Sequence, residues 1–253
     1  MEGMILPDDK RYRYTAQYLA GKGYIFHEPD RRGPLDFAIF PFKAPVDEAV
    51  YDDGYFAALG GAAVFSGIGS AYLSQQCAKH HLSYYAMMED RGVQVKNAVP
   101  TSEGVVAYLI HSLPRTIANS RVLVVGYGVC GKDLALRLKL LGANVYALVR
   151  NREKACATQA GGVTPVYLND MAGARFDAVI NTVPGRVFSD EMVANLGDTL
   201  LVDIASAPYG FDMALAKNKK SALLPGIPGK YAVQTAGEIL GEYIDCVLRG
   251  NDA

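Results

Sequence analysis

Val122-Leu123-Val124-Val125-Gly126-Tyr127-Gly128-Val129-Cys130-Gly131-Lys132 passes from an unbroken apolar run into three glycines at GxGxxG spacing, and then into a helical run over residues 133–141. In a strand–turn–helix setting each glycine has its own task. Gly126 permits the tight turn, Gly128 lets the backbone come close to a pyrophosphate, and Gly131 lets the helix pack on the strand while its free N–H groups face the anion. The helix closes near Leu141-Gly142 and a further apolar run follows at once. That context favours a dinucleotide-binding turn, and a glycine-rich turn that merely packs closely is the alternative reading. The predicted cradle comprises Gly126, Tyr127, Gly128, Val129, Cys130 and Gly131.

Roughly 20 residues past the first glycine, NAD-binding chains place an Asp or Glu against the ribose hydroxyls. This chain has Arg150-Asn151-Arg152 instead. A carboxylate repels a 2′-phosphate whereas a guanidinium binds one through paired hydrogen bonds, so NADP is expected over NAD. A solvated turn without a ligand is the alternative reading of these residues. Asn181-Thr182-Val183-Pro184 ends the next strong apolar run and is expected at the carboxyl edge of the sheet, where ligands bind in open α/β folds. An ordinary strand-to-loop turn is its alternative.

Outward from the glycines, the runs 122–125, 145–149, 178–182, 200–204 and 222–224 alternate with helical or turn-rich stretches. Runs rich in Val, Ile and Leu without polar alternation are what parallel strands covered on both faces require. The expected fold is α/β, a Rossmann doubly wound parallel sheet with a second, smaller α/β domain of flavodoxin-like kind. Residues 1–99 show a helical pattern over 11–22 and apolar segments at 37–40, 62–65 and 84–88, and form the expected substrate domain. Residues 100–230 form the expected NADP domain, and a helical pattern over about 231–248 opens a segment, 231–253, that returns to the first. Pro100-Thr101-Ser102-Glu103 is predicted to start a bridging helix that runs to about residue 117, with Ser or Thr as its cap and Glu103 in its first turn.

Among 253 residues, 25 Lys and Arg stand against 26 Asp and Glu. No basic excess is available for a phosphate backbone, so nucleic-acid binding is not expected. No apolar stretch is long enough to span a bilayer, and the first ten residues do not read as a signal peptide, so a cytoplasmic protein without membrane contact is expected. Cys77, Cys130, Cys156 and Cys246 form no CxxC pair, and His27, His80, His81 and His111 lack ligand spacing. Packing cysteines and no metal are therefore expected. No GxSxG elbow or Cys/His pairing offers a nucleophile.

Several segments in order resemble one family: Phe65-Ser66-Gly67-Ile68 with Ala71-Tyr72-Leu73, Asn97-Ala98-Val99-Pro100-Thr101-Ser102-Glu103-Gly104, and the motif from Gly126 to Gly131. They continue with Ile180-Asn181-Thr182-Val183-Pro184, Asp203-Ile204-Ala205-Ser206, Pro225-Gly226-Ile227-Pro228-Gly229 and Thr235-Ala236-Gly237-Glu238-Ile239-Leu240. Together these are similar to the A subunits of dipicolinate synthases. The resemblance implies a two-domain enzyme of sporulating bacteria that oxidises a dihydrodipicolinate-type diacid with NADP as hydride acceptor, beside a flavodoxin-like B subunit. It implies cofactor contacts at Asn181, Thr182, Val183, Pro184 and Ile204. It implies a small dicarboxylate held among Arg11, Ser66, Gly67, Thr101, Ala205, Ser206, Pro225, Gly226 and Lys230, with no catalytic residue identified. Arg11 also reads as part of a helix cap, and Ser66-Gly67 as a plain turn.

The chain departs from the family at two points. Ala207 replaces a basic residue and Gln234 replaces a lysine. Lys230, four residues before Gln234, is expected to compensate from the same helix face. Two other functions stay open: a cofactor-binding subunit inactive without its B partner, and a dehydrogenase of similar plan acting on an amino or hydroxy acid. A homo-oligomer also stays open.

Overall fold

The apolar runs form strands of two parallel sheets, each joined by helices. The computed structural model describes residues 1–171, 173–211 and 220–250. In chain order the first elements are β1 (Glu2–Ile5), α1 (Lys10–Gly21), β2 (Ile25–His27), β3 (Phe37–Ile39), α2 (Asp53–Ala58), β4 (Ala63–Ser66), α3 (Ala71–Lys79), β5 (Ser83–Ala86) and α4 (Arg91–Ser112). They continue with β6 (Arg121–Val125), α5 (Val129–Leu140), β7 (Asn144–Leu148), α6 (Arg152–Ala160), β8 (Thr164–Val166), β9 (Ala178–Asn181), α7 (Asp190–Asn195), β10 (Leu200–Asp203), β11 (Ser221–Leu223), α8 (Pro228–Tyr231) and α9 (Val233–Leu248). Two units result: Met1–Asn97 with Ala232–Ala253, and Ala98–Tyr231.

The first unit carries a five-stranded parallel sheet in the order β2-β1-β3-β4-β5. This is the doubly wound order of flavodoxin-like sheets. Side-chain alternation sends Ala38 and Phe40 into one core and Phe37 and Ile39 into another. α9 lies along α1 because Gly237 and Gly241 let it approach Tyr14 and Tyr18, and the Thr15 hydroxyl donates to the Gly237 carbonyl at 2.9 Å.

The second unit carries six parallel strands in the order β11-β10-β9-β6-β7-β8. Counted within the unit this is 6-5-4-1-2-3, the Rossmann order. Val122 and Val124 point into one apolar cluster and Leu123 and Val125 into the other, so both faces are covered, as the unbroken apolar runs require.

The bridging helix differs from the expectation. α4 starts at Arg91, and Pro100 lies inside it. The Asp90 carboxylate accepts the Val93 N–H at 2.8 Å and so does the capping that Thr101 or Ser102 was expected to do. Glu103 is not in a first turn but in mid-helix, 3.3 Å from Arg137. The helix stops at Ser112 rather than near 117, because Leu113 precedes Pro114 and is disfavoured in helical geometry. The shared face expected of Lys230 and Gln234 is also absent: α8 ends at Tyr231, Ala232 turns out of helix at φ −141° and ψ 57°, and Gln234 donates to Glu238 at 2.9 Å.

Candidate functional site

β6 delivers the chain into the glycine turn. Gly126 has a φ of +92°, which glycine adopts without steric cost, and a Cβ there would lie 2.5 Å from Val183 Cγ2. Gly131 is held as closely, since a Cβ on it would run into the Gly126 carbonyl oxygen. Gly128 differs from both. It precedes α5 at φ −81° and ψ −160°, and nothing lies within 4 Å of the position its Cβ would take. Among the described residues no contact asks for glycine there, although glycine also suits a helix N-cap. No side chain caps α5, a helix of 12 residues, so its first N–H groups and the positive end of its dipole remain for an anion. Free space against an uncapped helix start fits a dinucleotide diphosphate.

The neighbouring side chains fix this turn. The Thr182 hydroxyl donates to the Val125 carbonyl at 2.8 Å and ties the loop after β9 to the end of β6. The Tyr127 ring is buried in the core, and its hydroxyl, against Gly161, has no hydrogen-bond partner among the described residues. Burial pushes the Tyr127 pKa up. Val129 and Cys130 are half-buried in the first turn of α5. Burial, with Asp133 nearby, pushes the Cys130 thiol up, away from the thiolate a nucleophile needs.

Arg150, Asn151 and Arg152 follow β7 and are exposed. β7 pairs with β6, and the Gly126 N–H donates to the Leu148 carbonyl at 3.1 Å, so this segment leaves the same sheet edge as the glycine turn. Asn151 caps α6 by accepting the Lys154 N–H at 2.9 Å. Neither guanidinium pairs with a described residue. Asn181, in contrast, is fully buried with its amide engaged inside the protein, donating to Val183 and Asp203. Val183 packs toward Gly126, Pro184 is exposed, and Ile204 is half-buried against the core.

Of the residues expected to meet substrate in the second unit, Ala205 is buried, whereas Ser206, Pro225, Gly226 and Lys230 are exposed beyond β10 and β11. Thr101 is buried in α4, three residues before Gly104, which packs on Ile227 and Tyr231. The first unit engages its own candidates internally. Arg11 forks onto Asp9 through two bonds of 2.7 Å and stacks 3.5 Å above the Phe42 ring. Ser66 donates to the Ile68 carbonyl at 2.7 Å and meets the Tyr84 hydroxyl at 2.6 Å, while Gly67 lies against the Phe42 ring.

Asp203, fully buried and bonded to Asn181 at 3.0 Å, was not singled out from the sequence. Its signal was a single carboxylate closing the apolar run Leu200-Leu201-Val202, since a charge so placed needs several donors to be tolerated.

No protein-family model matches the chain. The A subunit of dipicolinate synthase from Bacillus subtilis (strain 168) is 31% identical over 190 residues, which is 73% of this chain and 64% of that protein. The chain thus matches less than two thirds of the relative's own length. The crystal structure of the dipicolinate synthase A chain from Bacillus subtilis superposes with a TM-score of 0.89 at 24% identity, covering 99% of this chain and 96% of that one. TP0037 from Treponema pallidum, a D-lactate dehydrogenase, gives 0.70 at 15% identity over 100% and 98%. At these identities the structures show the fold alone, an α/β chain with two parallel sheets.

Proposed function

We propose that this chain, a homologue of the dipicolinate synthase A subunit, is an NADP-dependent dehydrogenase that oxidises a dihydrodipicolinate-type diacid to its aromatic product. One observation carries the reading. Gly128 faces open space at the start of α5, where no side chain caps the helix among the described residues, and a closely approaching diphosphate accounts for a glycine there.

In this reading the N–H groups at the start of α5 and the backbone of 126–131 hold the diphosphate. Arg150 and Arg152 take the 2′-phosphate, a role that suits two exposed guanidiniums with no partner among the described residues. The bound nicotinamide supplies the hydride acceptor. The balance is simple: one ring carbon gives up a hydride, a ring proton goes to solvent or a base, and the ring becomes aromatic. What the chain adds is orientation and exclusion of water. Ser206 and Lys230, exposed beyond β10 and β11, are proposed to meet the carboxylates. Arg11, in the first unit, is proposed as a substrate contact through whatever Asp9 leaves of its fork.

A B subunit is the partner proposed on the same homology. Ala207 and Gln234, small or neutral where the family carries cations, favour a second reading in which the chain binds cofactor but turns over only beside that partner.

Titrating the chain with NADPH and NADH tests the cofactor assignment. NADPH is expected to bind at least about tenfold more tightly, and Arg150→Ala to remove most of that difference, as loss of one charge-assisted phosphate contact predicts. Equal affinities would remove NADP. No affinity for either would remove the dehydrogenase.

A further inference from the structure

Two fully buried polar side chains sit together where β9 and β10 end. Asp203 pairs with no cation among the described residues. Its Oδ1 accepts from Asn181 Nδ2 at 3.0 Å and from the Ala205 N–H at 2.9 Å, and its Oδ2 accepts from the Gly210 N–H at 2.7 Å. Asn181 also donates to the Val183 carbonyl at 2.9 Å and accepts the Val183 N–H at 3.2 Å. Gly210 lies against the Asn181 amide, where a Cβ would collide with it, and its carbonyl accepts the Val187 N–H at 3.3 Å.

Every partner of Asp203 among the described residues is a donor, which suits an acceptor-only group. A buried carboxylate that meets no cation among the described residues is a costly way to end a strand that three apolar residues begin. Apolar side chains would close the core as well. What they would not do is join two loops, and the loops joined here are those leaving β9 and β10 at the carboxyl edge of the sheet, the edge at which ligands bind.

We propose that Asp203 is a positioning residue: through Asn181 and the amides of Ala205 and Gly210 it holds the 182–188 and 204–210 loops in the arrangement that hydride transfer needs, touching neither cofactor nor substrate. The functional part of this rests on the dehydrogenase reading. Asn181, expected from the sequence to contact the cofactor, acts instead as the other half of the clamp.

The test uses the full chain, with its B subunit if turnover requires one. Asp203→Asn puts an amide among donors, and the exchange variant Asn181→Asp/Asp203→Asn restores a donor–acceptor couple between the two side chains. Turnover of Asp203→Asn is expected to fall about ten- to a hundred-fold, the scale of one or two buried donors left unsatisfied. Its NADPH affinity is expected to stay within about threefold, and the exchange variant to recover part of the turnover. Amide exchange at Ala205 and Gly210 should quicken in step. Wild-type turnover in Asp203→Asn, or unchanged protection of both amides, would overturn the proposal. So would an affinity loss as large as the turnover loss. If Asp203→Asn does not fold, Asn181→Ala, which keeps the carboxylate, is read in the same way. If wild type turns nothing over, the dehydrogenase reading has failed, and the two amides alone decide the clamp.

Discussion

Gly126, Gly128 and Gly131 are one residue type under two different constraints. At Gly126 a positive φ and Val183 exclude a side chain, and at Gly131 the Gly126 carbonyl does. At Gly128 the protein excludes nothing, because the backbone is extended and the space beyond it is open. Substitution therefore separates folding from binding. Gly128→Ala is expected to cost no more than about 1 kcal/mol of stability, the scale of placing alanine at a helix N-cap. Its dinucleotide affinity should fall at least about tenfold, because the methyl group occupies the diphosphate's approach. Gly131→Ala should lose about 1–3 kcal/mol of stability from the forced shift of helix against turn. Thermal melts paired with NADPH titrations check both. A Gly128→Ala chain that binds as tightly as wild type would dissociate the motif from the cofactor. The cradle was legible in the sequence because what each glycine does is local. The Asp203–Asn181 clamp was not, because its members lie 22 residues apart and meet only through the pairing of β9 with β10.

At the scale of elements, α1 shows how one carboxylate can serve two ends. Asp9 accepts the Arg11 N–H at 2.9 Å as the N-cap and takes the Arg11 guanidinium in a fork. Burial pulls the Asp9 pKa upward, but the hydrogen bonds and charge of Arg11 outweigh it and hold the carboxyl below its ordinary value. A depressed folded pKa means that ionised Asp9 stabilises the fold fully above the unfolded value, about 3.9, and that this contribution disappears as pH falls through the folded one. Asp9→Ala should cost roughly 1 kcal/mol near neutrality. In urea melts at stepwise lower pH the gap between variant and wild type should close once the carboxyl protonates, and a gap that persists in acid would deny the pair this role. A helix cap was one of two readings that the sequence left open for residues 8–11, and Asp9 does cap α1. The start of α4 was misplaced, because Pro100-Thr101-Ser102-Glu103 carries every local mark of a helix start while Asp90 caps the helix well before Thr101 and Ser102. β8 was missed for a related reason: Pro165 argues against a strand, yet β8 lies at the sheet's edge, where a missing N–H costs little. β1 was missed because Gly3 weakens its pattern, although the Phe37 ring occupies the place of a Gly3 side chain.

Over the whole molecule, the apolar clusters of the described residues divide between the two sheets. The clusters around β6 and β9 draw only on residues of the second unit, and those around β3 and β4 only on the first. A ligand that binds the folded second unit adds its binding free energy to that unit's opening, about 2.7 kcal/mol at a concentration 100 times Kd. NADPH at that level should therefore slow exchange of the most protected amides of β6 and β9, such as Val124 and Ile180, by about a hundredfold. The central amides of the first sheet, at Met4 and Ala38, should change far less, because α1 and α9 close that unit upon itself through Thr15 and Gly237. Hydrogen exchange of the full chain, with and without NADPH, reads both sets in one experiment. Equal gains in the two sheets would mean that the chain opens only as one cooperative block, and separate cores would then not confer separate stabilities. No gain in either would place the dinucleotide elsewhere than against the 126–131 turn, since ligand bound to native backbone amides must raise the cost of opening the sheet that presents them.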